Sequence, residues 1–133
     1  MNKNVVLDSF AVLALLCNES GGERVKEILQ KSTKGDLRVL MTWVNIGEIA
    51  YIIERRWNRE YVLRVIGTLE ATKIEVIEVG RDLSMKAAQI KAGHALAFAD
   101  AFAAALALRE QALLVTKDLE FKQLEGMLDI EWL

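Results

Sequence analysis

The sequence predicts a three-layer α/β/α domain on a mainly parallel central sheet of four or five strands, and two observations carry that expectation. Short runs rich in Val, Ile or Leu recur along the chain, and segments with helical apolar periodicity fill the gaps between them. Parallel sheets with crossover helices require that alternation. The chain has 133 residues, 53% of them apolar, with 8 Gly and no Pro, which suits a single domain over residues 1–133 and disfavours a loop-dominated fold. A chain of this length buries roughly two-thirds of the surface its unfolded form exposes.

The first strand is Val5 to Leu7, and Asp8 ends it. An apolar helix follows from near Phe10. In "ESGGERVKEILQKS", Ser20 and Glu23 stand at capping-box spacing before Val25, Ile28 and Leu29 on one helical face, which predicts a surface helix. Val39 to Thr42 is the second strand, and helices are expected over Val44 to Arg56 and Arg59 to Ala71. A third strand runs from Ile74 to Val79, punctuated by Gly80, and a helix covers Leu83 to Ala92 up to Gly93. The last helix is Ala99 to Arg109, the fourth strand is Leu113 to Thr116, and Ile130 to Leu133 is the candidate fifth. No repeat, low-complexity stretch or linker divides the chain.

Charge and composition narrow the class. A net charge of −2 gives no overall positive field, so a polyanion must be met by a local basic patch. The lone Cys17 cannot form an intramolecular disulfide, and "MNKNVVLDSF" meets charge after three or four apolar residues, unlike a signal peptide, so a cytoplasmic protein is expected. Ala95 to Leu108 is nearly apolar but spans only 14 residues and contains Asp100, too short and too charged to cross a bilayer.

The carboxylates are the informative residues. In open parallel sheets the site lies beyond the carboxyl ends of the strands. Asp8 follows the strand "VVL" and Asp118 follows "LLVT" by one residue, so both point to that edge. In "TWVNIGEIAYII" Asn45 precedes Glu48 by three residues, which places both on one helix face with apolar neighbours and leaves Glu48 half buried. Asp100 is the only polar residue from Ala95 to Leu108, on a helix whose alanines suit close packing against a sheet.

Burying an unpaired carboxylate costs several kcal/mol in effective terms, roughly, and is remedied by a cation, a raised pKa or a metal. No Lys or Arg lies three or four residues from Asp8, Glu48 or Asp100. If these acids converge with Asp118, a divalent cation relieves their repulsion, and an all-oxygen set favours Mg²⁺ or Mn²⁺ over Zn²⁺. Each acid also has a structural reading: Asp8 or Ser9 as a helix cap, Asp100 in a first helical turn, Glu48 on a solvated face, Asp118 as a cap before "LEFKQL". A cap and a ligand are compatible roles. Glu120 reads as solvated, with assistance to a metal through water as its functional alternative.

These segments resemble the PIN-domain ribonucleases, and within them the VapC-type toxins of toxin–antitoxin pairs. "VVLDSFAVLALL", "TWVNIGEIAYII", "IKAGHALAFADAFAAALAL" and "LLVTKDLEF" stand in the family's order over the whole chain. The resemblance places the acidic quartet on Asp8, Glu48, Asp100 and Asp118, and a supporting polar residue on Thr116. It implies a PIN fold, Mg²⁺- or Mn²⁺-dependent endoribonuclease activity, an RNA substrate, inhibition by a cognate antitoxin, and a homodimer. Asn45, Ser9 and Glu120 are auxiliary positions. Where the family often has Ser before the third acid this chain has Ala97 and Phe98, and where it often reads Thr-Gly-Asp-Pro-Asp-Phe this chain has Thr116-Lys117-Asp118-Leu119-Glu120-Phe121.

An RNA substrate needs cations outside the acids. "ERRWNREYVLR" supplies Arg55, Arg56, Arg59 and Arg64 with Trp57 and Tyr61 interleaved, and Lys86, Lys91 and Lys117 are candidates to flank the site; aromatics among cations can stack on unpaired bases. A solvated helix junction is the competing reading. His94 and Cys17 read as structural, and Trp43 and Trp132 as packing residues. Two rivals stand beside the nuclease. A phosphoacceptor receiver domain wants an acceptor Asp after the third strand, for which Asp82 comes late; a catalytically silent binding module keeps the fold and acts through protein or RNA partners.

Overall fold

The computed structural model describes residues 3–133. Five parallel strands form one sheet: β1 (Asn4–Leu7), β2 (Arg38–Thr42), β3 (Glu75–Ile77), β4 (Leu113–Thr116) and β5 (Ile130–Trp132), in the order β3-β2-β1-β4-β5. The helices are α1 (Ser9–Leu16), α2 (Gly22–Thr33), α3 (Trp43–Arg56), α4 (Arg59–Ala71), α5 (Arg81–Gly93) and α6 (Phe98–Glu110), with a 3-10 helix at Leu119–Leu124. The expected alternation is therefore present and the sheet is wholly parallel.

Side chains alternate across the strands and give each sheet face its own core. Val5, Leu7, Val39, Met41 and Val115 pack with α1, α2, α3 and α4. Val6, Leu40 and Leu114 face α5, α6 and the 3-10 helix. Burying a side chain of this size contributes about 1.5–3 kcal/mol, so strands covered on both faces read as continuous apolar runs. In α6 the alanines from Ala103 to Ala105, with Ala101 and Ala107, are buried; their small size lets that helix lie close to the sheet.

Two expectations are corrected in detail. β3 pairs over Glu75 to Ile77 only, opposite Leu40 to Thr42 of β2, so Ile74, Glu78 and Val79 flank a shorter edge strand. The Ser20–Glu23 capping box does not form: Gly21, at φ 92°, N-caps α2 without a side-chain bond. The reason lies in the turn before it. Asn18, at φ 52°, ends α1 in the left-handed region, with Asn18 N–H donating to Leu15 O and Glu19 N–H to Ala14 O at 2.7 Å, a Schellman closure. That turn brings Gly22 so close to α1 that a Cβ there would lie 2.6 Å from Ala14 O.

Candidate metal centre at the switch point

From β1 the chain builds the sheet outward through β2 and β3, and β4 and β5 then add to the other side of β1. In sheets of this order the loops after the two strands at the reversal point diverge and leave a crevice at the carboxyl edge, the usual place for a site. Asp8 follows β1, Thr116 ends β4, and Asp118 lies two residues further on.

Asp8 has its anticipated place at the end of β1 and its anticipated capping role. It N-caps α1, accepting from Ala11 N–H at 2.7 Å through Oδ1, while Oδ2 accepts from the Thr116 hydroxyl at 2.5 Å. It is fully buried. Burial pushes its carboxyl up to about 6, the Thr116 and Ala11 bonds pull against that, and the charges of Asp118 and Glu48 push it further up. Thr116 Oγ1 in turn accepts from Asp118 N–H at 3.0 Å. One hydroxyl thus joins the ends of β1 and β4.

Asp118 caps the 3-10 helix by accepting from Glu120 N–H at 2.9 Å. Asp100 sits in the first turn of α6, is 1% exposed, and does not cap the helix, whose N-cap is Ala97 with no side-chain bond. Burial pushes its carboxyl up to about 8, followed by the charges of Asp118, Asp8 and Glu48. Carboxylate oxygens of Asp100, Asp118 and Glu120 lie within 4.8 Å of one another, so the exposed Glu120 joins the acids more directly than expected from its sequence. Glu48 is half buried on α3, as anticipated.

Asn45 and Ser9 lie behind these acids rather than among them. The Thr42 hydroxyl donates to Asn45 Oδ1 at 2.6 Å and accepts from Asn45 N–H at 3.1 Å. Asn45 Nδ2 donates to Ser9 Oγ and to Ala99 O, both at 3.2 Å, and Ser9 Oγ donates to Asn45 O at 3.1 Å. Thr42 was not anticipated as part of this region; its signal was a Thr three residues before an Asn at a strand-to-helix junction, the N-cap pattern.

The donor set can hold a cation. Asp100 Oδ1 and Glu48 Oε1 are buried without a hydrogen-bond partner, although buried polar atoms are almost always paired. Among the described residues, the Lys and Arg ion pairs go elsewhere, to Glu19, Glu27, Glu54, Glu75, Asp82, Glu110 and Glu131. Carboxylates held near one another without a protein counter-charge present hard oxygen ligands of the kind that suits a divalent ion.

The basic segment lies on the α3–α4 hairpin. The Arg55 guanidinium is 5.2 Å from the Tyr51 ring centroid, Trp57 packs on Tyr61 at 5.4 Å, and Arg59 pairs with Glu54. Tyr51, Trp57 and Tyr61 are exposed, and shallow clefts of about 430 and 400 Å³ on this hairpin are lined by Tyr61 with Arg64 and by Tyr51 with Arg55. Lys117, by contrast, donates to Ser20 O at 3.3 Å. His94 ends α5 with its Nδ1 2.9 Å from Ile90 O, in keeping with a structural histidine, and Cys17 is half buried at the end of α1.

Similar solved structures have this architecture throughout. A DNA-bound VapBC complex from Salmonella typhimurium contains a chain 22% identical, with TM-score 0.74 and 98% of each chain covered. VapBC-1 from nontypeable Haemophilus influenzae gives 20% identity, TM-score 0.70 and 97% of each chain. VapC20 from Mycobacterium tuberculosis, described as a toxin cleaving the sarcin-ricin loop, gives 18% identity and TM-score 0.72 over 90% of this chain and 93% of that one. No curated protein sequence matches. The family model for the PIN domain matches residues 5–127, a span that contains the crevice and every acid placed in it, and the chain belongs to the PIN domain family.

Proposed function

We propose that this protein is a Mg²⁺- or Mn²⁺-dependent endoribonuclease, the toxin of a toxin–antitoxin pair, with Asp8, Glu48, Asp100 and Asp118 as its metal-holding and catalytic acids. The observation that carries the reading is the pair of orphaned buried oxygens, Asp100 Oδ1 and Glu48 Oε1, beside acids where burial and neighbouring negative charge push the Asp8 and Asp100 carboxyls up. Membership of the PIN domain family and the likeness to VapBC complexes support an RNA substrate and a cognate antitoxin. A homodimer and a cytoplasmic location complete the proposal.

Asp8, Asp100 and Asp118 would hold the ion, with Glu48 as a further ligand or as the group that orients the attacking water. Bound there, the ion supplies a more acidic water and a counter-charge for phosphate oxygens. The chain's own contributions are distinct. Thr116 and Ala11 N–H hold the Asp8 carboxylate in one orientation, so that its geometry needs no rearrangement during the reaction. Glu48 offers an unengaged oxygen to a water proton. Asp100 must release its own proton to serve, which its raised pKa delays to slightly above neutral pH. Glu120, at the exposed rim, can contact the ion directly or through water.

The test is sequencing of RNA ends after controlled expression of the native protein and of Asp8→Asn, repeated with purified protein and added Mn²⁺. New ends that depend on metal and vanish in Asp8→Asn are expected. Equal cleavage by both proteins would place the chemistry elsewhere, and an absence of ends from the native protein would favour the silent binding module.

A further inference from the structure

We infer that Asn45 is a positioning residue whose buried side-chain amide sets the spacing of Asp8, Glu48 and Asp100; the inference rests on the metal-nuclease reading of these acids. Asn45 is completely buried, and every hydrogen-bonding atom of its side chain is engaged. Its two donor bonds end beside two different acids. Ser9 immediately follows Asp8, and Ala99 immediately precedes Asp100. Asn45 itself stands one helical turn before Glu48 on α3. A single amide therefore connects the starts of α1, which Asp8 caps, of α3, which carries Glu48, and of α6, which carries Asp100.

The bond to Ala99 is not one that helix formation requires. A carbonyl inside a helix takes the N–H four residues ahead as its partner, so a second donor from another element acts as a tether between elements. Asp100 depends on such a tether more than Asp8 and Asp118 do. Asp8 is located by Ala11 and Thr116, and Asp118 by its bond to Glu120 N–H, whereas Asp100 makes no capping bond and its Oδ1 has no partner. The backbone beside it, at Ala99, is held by Asn45. Thr42 completes the device from behind, because its hydroxyl fixes which way the amide faces. Groups that orient ligands in this way typically change metal affinity about 10–100-fold when removed.

The experiment compares the native chain with Asn45→Leu, which keeps the branched shape and removes the amide, and with Ser9→Ala, which removes one of its two acceptors. Each folded protein is titrated with Mn²⁺ alone by calorimetry, its metal-free Tm is measured, and kcat and KM are determined on RNA. Positioning predicts that Asn45→Leu binds Mn²⁺ at least about tenfold more weakly and loses kcat while KM for RNA stays near the native value. Ser9→Ala is expected to shift both in the same direction by a smaller factor, and it carries the test if Asn45→Leu does not fold. A lowered Tm with native Mn²⁺ affinity and native kcat in a folded variant would make Asn45 merely structural and overturn the inference. A native chain that binds no Mn²⁺ would instead bring down the metal-nuclease reading, and this inference with it.

Discussion

The Thr116 hydroxyl donates to Asp8 Oδ2 at 2.5 Å across 108 positions of sequence and accepts from Asp118 N–H at 3.0 Å. It ties two of the four acids to each other through direct hydrogen bonds. Thr116→Val keeps the branched shape but leaves Asp8 Oδ2 buried without that donor. Such a loss costs about 1–3 kcal/mol. The Thr116 bond also holds the Asp8 carboxyl down, so its removal raises that pKa above about 6 and weakens metal binding most at low pH. Urea denaturation and Mn²⁺ titrations at pH 6 and pH 8 check both effects; an unchanged Mn²⁺ affinity at pH 6 would contradict the second.

Metal-free stability should fall as pH rises. Asp8 is raised from 3.8 to about 6 and Asp100 from 3.8 to about 8, so across that window the folded state keeps protons that the unfolded state has released. Stability from these groups is present below 3.8 and is lost as pH climbs through the folded-state values. Glu110 and Glu131, lowered below 4.5 by Arg38 and Arg24, have the opposite sign but act at more acid pH. Mn²⁺ competes with the same protons, so its affinity should rise over the same interval. Denaturation curves at pH 5, 6.5 and 8, with and without Mn²⁺, decide the matter, and a metal-free protein that gains stability towards pH 8 would refute the assignment.

Asp100→Asn should make the metal-free protein more stable at pH 8 while abolishing its response to metal. The variant retains the side-chain shape and removes a buried charge that Asp118, Asp8 and Glu48 all oppose. Native protein at a hundredfold excess over the metal Kd gains about 2.7 kcal/mol; the variant gains none and cleaves no RNA. Thermal melts with rising Mn²⁺ provide the comparison. A variant less stable than the native chain without metal would show that the carboxylate is favourable where it stands.

How much of this was legible in the sequence follows from how far each signal reaches. The runs "VVL" and "LLVT" are apolar because both sheet faces are covered, and a covered strand reads as a strand whatever it pairs with. The capping Asp8 and Asp118 were legible for the same local reason. The Ser20–Glu23 box failed because local capping competes with chain geometry, and the close packing of Gly22 against Ala14 O prevails. The convergence of Asp8 with Thr116, and the Asn45 bond to Ala99, join residues 108 and 54 positions apart. No spacing rule reaches that far, and only the family resemblance pointed to Thr116.

Gly22→Ala is expected to destabilise the fold without touching the metal response. Alanine is the better helix former, by up to about 1 kcal/mol, and Gly22 opens α2 at an ordinary φ, so propensity alone predicts a gain. Packing predicts the reverse. The new Cβ would stand 2.6 Å from Ala14 O and 3.1 Å from Leu15 Cα, both backbone atoms, and Ala14 O is already held by Glu19 N–H at 2.7 Å. Moving α2 away disrupts that closure, and overpacking of this kind typically costs about 1–3 kcal/mol, which exceeds the helical gain. The start of α1 is anchored separately by the Asp8 cap and by Ser9 on Asn45, so the Mn²⁺-induced rise in Tm should match the native value from a lower baseline. A higher metal-free Tm would mean that α2 shifts freely and that the turn is less constrained than its hydrogen bonds imply; a lost Mn²⁺ response would mean that α1 transmits the strain to Asp8.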